Sequence, residues 1–214
     1  MSNTVLPSNE QRRLLERATL NYMENVEVAE EYLASRGIDL RAARIAGLGV
    51  VDKTVLEYKD FAGRLAIPYF TPAGPVNMVF RCLSSHDCKT QSDHGKYVRA
   101  PGLGVNLYNV QSYRYASSFM CITEGELDAL SLSIMGIPAI AVPGAENWRE
   151  HWNLVFQDFE SIFVFEDGDA AGRKFGLRVA KELGATRMKM PEKEDVNSMM
   201  VKQGYPYFKK ILEL

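Results

Sequence analysis

Two stretches decide how this chain is read: Phe119-Met-Cys-Ile-Thr-Glu-Gly-Glu-Leu-Asp-Ala-Leu130 and Ser161-Ile-Phe-Val-Phe-Glu-Asp-Gly-Asp-Ala-Ala-Gly172. Each opens with an apolar run of strand length, passes through acids and a glycine, and enters a helical pattern. The same rhythm fills the neighbouring sequence. Strands are predicted at 119–123, 139–142, 161–165 and 186–190, with helices at 126–135, around 148–156 and at 170–183. In the last helix Ala171, Phe175, Val179 and Leu183 recur at four-residue steps, and Gly184 is its stop. Strands alternating with helices predict a parallel sheet with helices on its faces.

Upstream the texture differs. Residues 10–46 read as helical, from Leu14, Leu15, Ala18 and Tyr22 and then Val28, Tyr32 and Leu33, with Gly37 as a C′ residue. A short third helix over 40–46 is predicted to stop at Gly47 and Gly49. Two strand-like runs, 63–70 and 76–82, are joined by Thr71-Pro-Ala-Gly-Pro75, which reads as a hairpin. Residues 84–95 are polar and turn-rich, hence a loop. The expected organisation is α/β: a smaller mixed α+β part over 1–112 and a parallel-sheet part over 113–214. Of the aromatic residues, Trp148 and Trp152 are expected in the core, Tyr205, Tyr207 and Phe208 are expected to pack a terminal helix beginning near Pro206, and Tyr97 and Tyr108 are candidates for stacking on bases.

The chain has 214 residues, 46% hydrophobic and 24% charged, the balance of a globular protein. The longest apolar runs fall far short of the roughly 18 residues a spanning helix needs, and no signal peptide is visible. Three cysteines, Cys82, Cys88 and Cys121, do not make a disulfide framework. The expectation is a reduced, cytoplasmic protein with no membrane partner. A net charge of −2 argues against coating nucleic acid by bulk charge. The distribution is more informative. Residues 64–99 carry Arg64, Arg81, Lys89, Lys96 and Arg99 against Asp87 and Asp93, a net +3, whereas residues 111–214 carry a net −3 with the acids in tight groups.

Those groups lie where ligands bind in open α/β sheets, beyond the carboxyl ends of strands. Glu124 leaves the first strand and Asp128 falls on the following helical turn. Asp167 and Asp169 leave the third strand, and period two points them to one side. Asp195 follows the fourth. Two such charges about 4 Å apart repel by about 4 kcal/mol at an effective dielectric near 20, so a convergent set must hold protons or a cation. Hard oxygen donors suit Mg²⁺ or Mn²⁺, and such ions complete their shells with water and phosphates. A different set, Cys82, His86, Cys88 and His94, offers four zinc-type ligands. Its spacing is compact and unlike paired-cysteine knuckles, and small apolar packing is the commoner fate of a cysteine at a strand end. Structural zinc is therefore not the expectation.

Glu124-Gly-Glu-Leu-Asp128-Ala-Leu and Asp167-Gly-Asp169-Ala-Ala-Gly172 resemble the EGxxDxL and DGDxAG motifs of the TOPRIM domain, shared by DnaG-type primases, topoisomerases and some nucleases. Upstream, Tyr32-Leu-Ala-Ser-Arg-Gly-Ile38, Gly63-Arg64-Leu-Ala-Ile-Pro68, the hairpin ending Phe80-Arg81, Lys96-Tyr97-Val-Arg-Ala-Pro101 and Leu107-Tyr108-Asn109 resemble, in order, segments of the DnaG-type primase catalytic core. The resemblance runs from about residue 28 to 200. It implies a TOPRIM-like parallel sheet behind a primase-core subdomain, and template-directed synthesis of RNA primers on single-stranded DNA from ribonucleoside triphosphates. It further implies Glu124, Asp167 and Asp169 as catalytic acids, Asp128 and Asp195 joining them around Mg²⁺ or Mn²⁺, and Arg64, Arg81, Lys96, Tyr97 and Arg99 toward nucleotide or DNA. A bacterial or phage-encoded protein is implied, with a replicative helicase or a zinc-bearing initiation factor as partners in trans. The pattern is not followed throughout: no cysteine precedes residue 82, Arg99 stands for the usual asparagine, and the lysine expected just before Leu107 is missing. The acids alone would serve a metal-dependent nuclease equally, and a non-catalytic DNA-binding subunit is a third reading.

Overall fold

The computed structural model describes residues 6–88, 90, 94–116, 118–144 and 147–214, so Lys89 and Asp93 of the basic window lie outside the described residues. The chain divides into two compact units, Met1–Asn106 and Leu107–Leu214. Residues 107–112 go with the second unit for a local reason. Tyr108 exchanges backbone hydrogen bonds with Ala141, and the Asn109 side chain donates to Ser133 and to the Ala139 carbonyl.

The first unit begins with helix α1 (Asn9–Met23), whose Ser8 N-cap and Gln11 form a reciprocal capping box. Two short helices follow, α2 (Glu30–Ser35) and α3 (Leu40–Ile45), the latter capped by Asp39. An antiparallel sheet then runs in the order β1 (Gly49–Val50), β2 (Leu65–Thr71), β3 (Gly74–Arg81), β4 (Tyr97–Arg99). The predicted hairpin is β2–β3, closed by Pro72 and Ala73 between the paired Thr71 and Gly74. The face of α1 bearing Leu15, Ala18 and Tyr22 packs on Ala66, Met78 and Phe80 of the sheet. Phe80 is the centre of this cluster, stacked on Phe61 with ring centroids 4.3 Å apart and tilted against Tyr58 at 5.2 Å.

The second unit is the predicted parallel sheet, in the order β6 (Ala139–Ala141), β5 (Phe119–Thr123), β7 (Ser161–Glu166), β8 (Thr186–Lys189). Its helices are α4 (Glu126–Ile134), α5 (Ala170–Leu183) and α6 (Val196–Ile211). Buried Glu166, 1% exposed, ends β7 and is held by a two-pronged pair with Arg187 of β8. This acid at a strand end is neutralised within the sheet. Among the described residues no helix is long and apolar enough to cross a membrane.

Four local expectations change. Tyr108 is 4% exposed and part of the core, so it is no stacking platform for bases; its backbone pairing with Ala141 holds it there. Residues 150–156 wind as a 3-10 helix rather than an α-helix, although Trp148 and Trp152 are buried as expected, edge to face at 5.9 Å. The terminal helix starts at Val196, ten residues before Pro206, because Asp195 caps it, and it kinks at Gly204 (φ 63°) ahead of the proline. Gly49 is not a helix stop but a strand residue under α1. A Cβ there would lie 2.2 Å from the backbone carbon and oxygen of Tyr22, atoms that cannot move without displacing the helix. Gly49→Ala is therefore expected to cost about 1–3 kcal/mol of stability through overpacking, read as a lower denaturant midpoint at unchanged slope.

Candidate active site and a basic hairpin

The acids of the second unit stand where strands give way to helices. Glu124 follows β5. Asp167 follows β7, and Asp169, two residues on, is the N-cap of α5, its Oδ1 accepting the Gly172 amide at 2.7 Å. Asp195 is the N-cap of α6, accepting the Ser198 amide at 2.6 Å while the Ser198 hydroxyl accepts a bond from the Asp195 amide. Each cap occupies one carboxylate oxygen and leaves the other out of the cap. The two loops that carry these acids are locked together. The Gly168 amide donates to the Glu194 carbonyl at 2.7 Å and the Lys193 amide donates to the Gly168 carbonyl at 3.1 Å. Gly168 permits this approach, since a Cβ would meet the Pro191 carbonyl oxygen at 1.8 Å.

Asp167 is the electrostatic centre of the group. Burial, and then the charges of Asp195, Glu124 and Asp169, push its carboxyl up to about 7. Three of the other four acids singled out in the sequence thus act on Asp167. Asp128 is placed differently. It is 8% exposed, and its Oδ1 accepts the amide of Asn197 in the first turn of α6 at 2.8 Å, while the Asn197 side chain donates to Ser131 of α4. Asp128 therefore ties α4 to α6 and fixes the turn from which Asp195 projects. The sequence carried no sign of this contact across 69 positions, nor of the Glu166–Arg187 pair.

The donor set fits a divalent cation. It is all oxygen, it is anionic, and one member is held toward its neutral form by burial and then by the charges of the others, the part a bound cation relieves.

In the first unit the basic residues gather on β3, β4 and the turn before β4. Arg81 is not a surface cation. It is 5% exposed, its guanidinium carbon lies 4.1 Å from the Tyr32 ring centroid, and it donates to the Tyr97 hydroxyl at 3.1 Å and to the Cys82 carbonyl at 3.0 Å. Tyr97 itself is 42% exposed. Arg64 is half-buried and donates to the Gly95 carbonyl, Arg99 is half-buried on β4, and Lys96 is exposed at the rim of a pocket that Arg81, Cys82 and His86 also line.

Three residues of that pocket's lining and His94 form a group whose spacing argued against a shared site. Cys82, His86, Cys88 and His94 have ligand atoms that all lie within 4.8 Å of one another. Cys82 Sγ lies 3.7 Å from His86 Nε2, Cys88 Sγ 3.7 Å from His94 Nε2, and the two Nε2 atoms are 3.1 Å apart. Both cysteines are buried and neither is in a disulfide. Burial pushes the Cys82 thiol up, but hydrogen bonds with Ser84 and Cys88 and the Arg64 charge outweigh it, and the net direction is down.

Comparison with known proteins agrees with this architecture. A family model described as Toprim-like matches residues 121–200, the segment that holds Glu124, Asp167, Asp169 and Asp195. The gene 57 protein of Mycobacterium phage D29 is 37% identical over 145 residues, covering 67% of this chain and 94% of that protein. The DNA primase of Neisseria meningitidis (serogroup A) is 28% identical over 181 residues, 76% of this chain but 30% of that primase, so the chain spans about a third of the length of such relatives. A solved DnaG primase catalytic domain bound to single-stranded DNA superposes with a TM-score of 0.76 at 21% identity, covering 94% of this chain and 77% of that one. With a Toprim-like acid-bearing sheet in its second half, a phage relative matched over nearly its whole length and bacterial primases matched across both units, the chain belongs to the family of DnaG-type primase catalytic cores.

Proposed function

We propose that this chain is the catalytic core of a DNA primase, joining ribonucleoside triphosphates along single-stranded DNA with release of pyrophosphate. The observation that carries the reading is the set of acids acting on Asp167 at the carboxyl ends of β5 and β7 and after β8, inside the segment that is Toprim-like. The related DnaG catalytic domain, solved bound to single-stranded DNA, supports the choice of template.

Glu124, Asp167, Asp169 and Asp195 would hold Mg²⁺ or Mn²⁺, and a divalent ion bound there supplies activation of a primer 3′-hydroxyl and stabilisation of charge on the transferring phosphate. The chain's own residues do the positioning. Asp169 and Asp195 are oriented by the helix amides they cap, so their second oxygens are pre-aimed without loss of side-chain freedom on binding. Asp128 acts through α6, holding the turn that presents Asp195. Asp167 must shed its proton to act as a ligand. In the first unit, exposed Lys96 and Tyr97 are the residues we assign to the template or nucleotide, the one for phosphate charge and the other for stacking on a base. Buried Arg81 orients Tyr97 through its hydroxyl.

Primer synthesis on single-stranded DNA with Mg²⁺ or Mn²⁺ is the direct test. Glu124→Gln and Asp167→Asn are each expected to reduce the rate by at least about a hundredfold with the melting temperature of the chelator-treated protein not lowered. Undiminished synthesis in both variants would remove the site, and cleavage of labelled DNA without nucleotide incorporation would replace the polymerase by a nuclease.

The pH behaviour has a definite sign. With its carboxyl up at about 7 against an ordinary 3.8, Asp167 binds a proton in the folded state that the unfolded chain has released. Between these values the cation-free protein loses stability as pH rises, and above about 7 the loss levels off. The melting temperature in chelator is expected to fall from about pH 5 to about pH 7.5 less steeply in Asp167→Asn than in wild type, and Mg²⁺ is expected to raise it at the upper pH. Parallel wild-type and variant profiles would show that Asp167 does not carry this proton.

A further inference from the structure

We propose that Cys82, His86, Cys88 and His94 form a closed Cys₂His₂ zinc site that staples the connection between β3 and β4. The argument is geometric. A tetrahedral zinc with bonds of about 2.3 Å to sulfur and about 2.0–2.1 Å to nitrogen requires ligand atoms about 3.6 Å apart for a sulfur–nitrogen edge and about 3.3 Å apart for a nitrogen–nitrogen edge. Three of the six edges are 3.7, 3.7 and 3.1 Å, and the other three lie within 4.8 Å. Cys–His and His–His hydrogen bonds would satisfy each of these edges singly, but they give no reason for all four ligand atoms to converge within 4.8 Å of one another.

The donor chemistry points the same way. Two thiolates and two imidazoles select a soft or borderline metal over Mg²⁺, and four protein ligands leave no open position, which makes the site structural. A zinc ion with two thiolates and two neutral imidazoles is also uncharged overall, so it can sit beside Arg81 and Lys96 without repelling them. The sequence of the connection it would close is polar, with Leu83 its one large apolar residue, and so has little with which to build a core of its own. Metal ligation then supplies the folding free energy that burial does not.

The consequence reaches the basic hairpin. The Cys82 amide donates to the Lys96 carbonyl at 2.8 Å, and the Cys82 carbonyl accepts from Arg81. Fixing the Cys82 sulfur therefore fixes the backbone of Lys96 and the Arg81 group that orients Tyr97. This zinc site is independent of the carboxylate cluster and stands whether or not the primase reading does.

Metal analysis of the purified full chain after exhaustive dialysis is expected to give about one zinc per chain. Cobalt added to metal-free wild-type protein is expected to give the visible bands of tetrahedral cobalt with a thiolate-to-cobalt charge-transfer band, a readout that needs no variant to fold. Cys88→Ser and His94→Ala should each weaken zinc binding by at least about a hundredfold, whereas the double variant Glu124→Gln, Asp167→Asn should keep its zinc. Zinc below a tenth of an equivalent together with an octahedral, thiolate-free cobalt spectrum would overturn the proposal. So would full zinc retention in Cys88→Ser, or zinc lost from the carboxylate double variant.

Discussion

Negative charge accumulates at the carboxyl edge of the parallel sheet, and the fold must offset it before any cation arrives. It does so with backbone amides. Asp169 and Asp195 each sit at a helix N-terminus, where unpaired N–H groups and the macrodipole favour an anion, and Asp128 accepts a further amide from the first turn of α6. Glu166 is removed from the contest by Arg187. Asp167 takes the remainder: burial and three neighbouring acids hold it near neutrality. The outcome is a site in which most of the repulsion is absorbed by structure and the rest is concentrated on one carboxyl, which is where a divalent ion would gain most.

The same arrangement explains which features were legible in the sequence. The parallel sheet could be read because each strand, turn and helix announces itself within a dozen residues, from the apolar run 119–123 to the four-residue steps of 170–183. The acids could be read because strand ends in such sheets face one side. Asp128 was read as one more acid of the cluster, and its link to Asn197 was not legible, since nothing local to either residue encodes a contact across 69 positions. Tyr108 misled for a related reason. Its place next to the basic window suggested exposure, whereas a backbone pairing with Ala141 decides its burial. Gly49 looked like punctuation because a glycine demanded by close approach of another helix is indistinguishable, in sequence, from one demanded by a turn.

The Cys/His group is the sharpest case. Spacing argued against it because familiar zinc knuckles place paired ligands on one tight turn. Here two cysteines and two histidines are distributed along a connection whose ends are held by an antiparallel ladder. Arg81 faces Tyr97 in register, and the Cys82 amide closes on the Lys96 carbonyl just beyond. The sheet, rather than the loop sequence, brings the first and last ligands near each other, so no local motif could have announced them.

Register is also what carries order outward from the core. On β3, Phe80 is locked among Tyr58, Phe61 and Met78, and its pairing partner on β4 is Val98. A side-chain period of two then fixes the positions after Phe80, since a slip of one would expose that ring and bury a different set of polar groups. Arg81 must fall opposite Tyr97, and Cys82 must fall at the mouth of the connection. An arginine so deeply enclosed, stacked on Tyr32 and bonded to Tyr97 and a carbonyl, gives up contact with solvent to hold a tyrosine in one orientation. That is a reasonable exchange only if the orientation of Tyr97 matters, because apolar residues of similar volume would fill the same space without the desolvation cost of a buried charge.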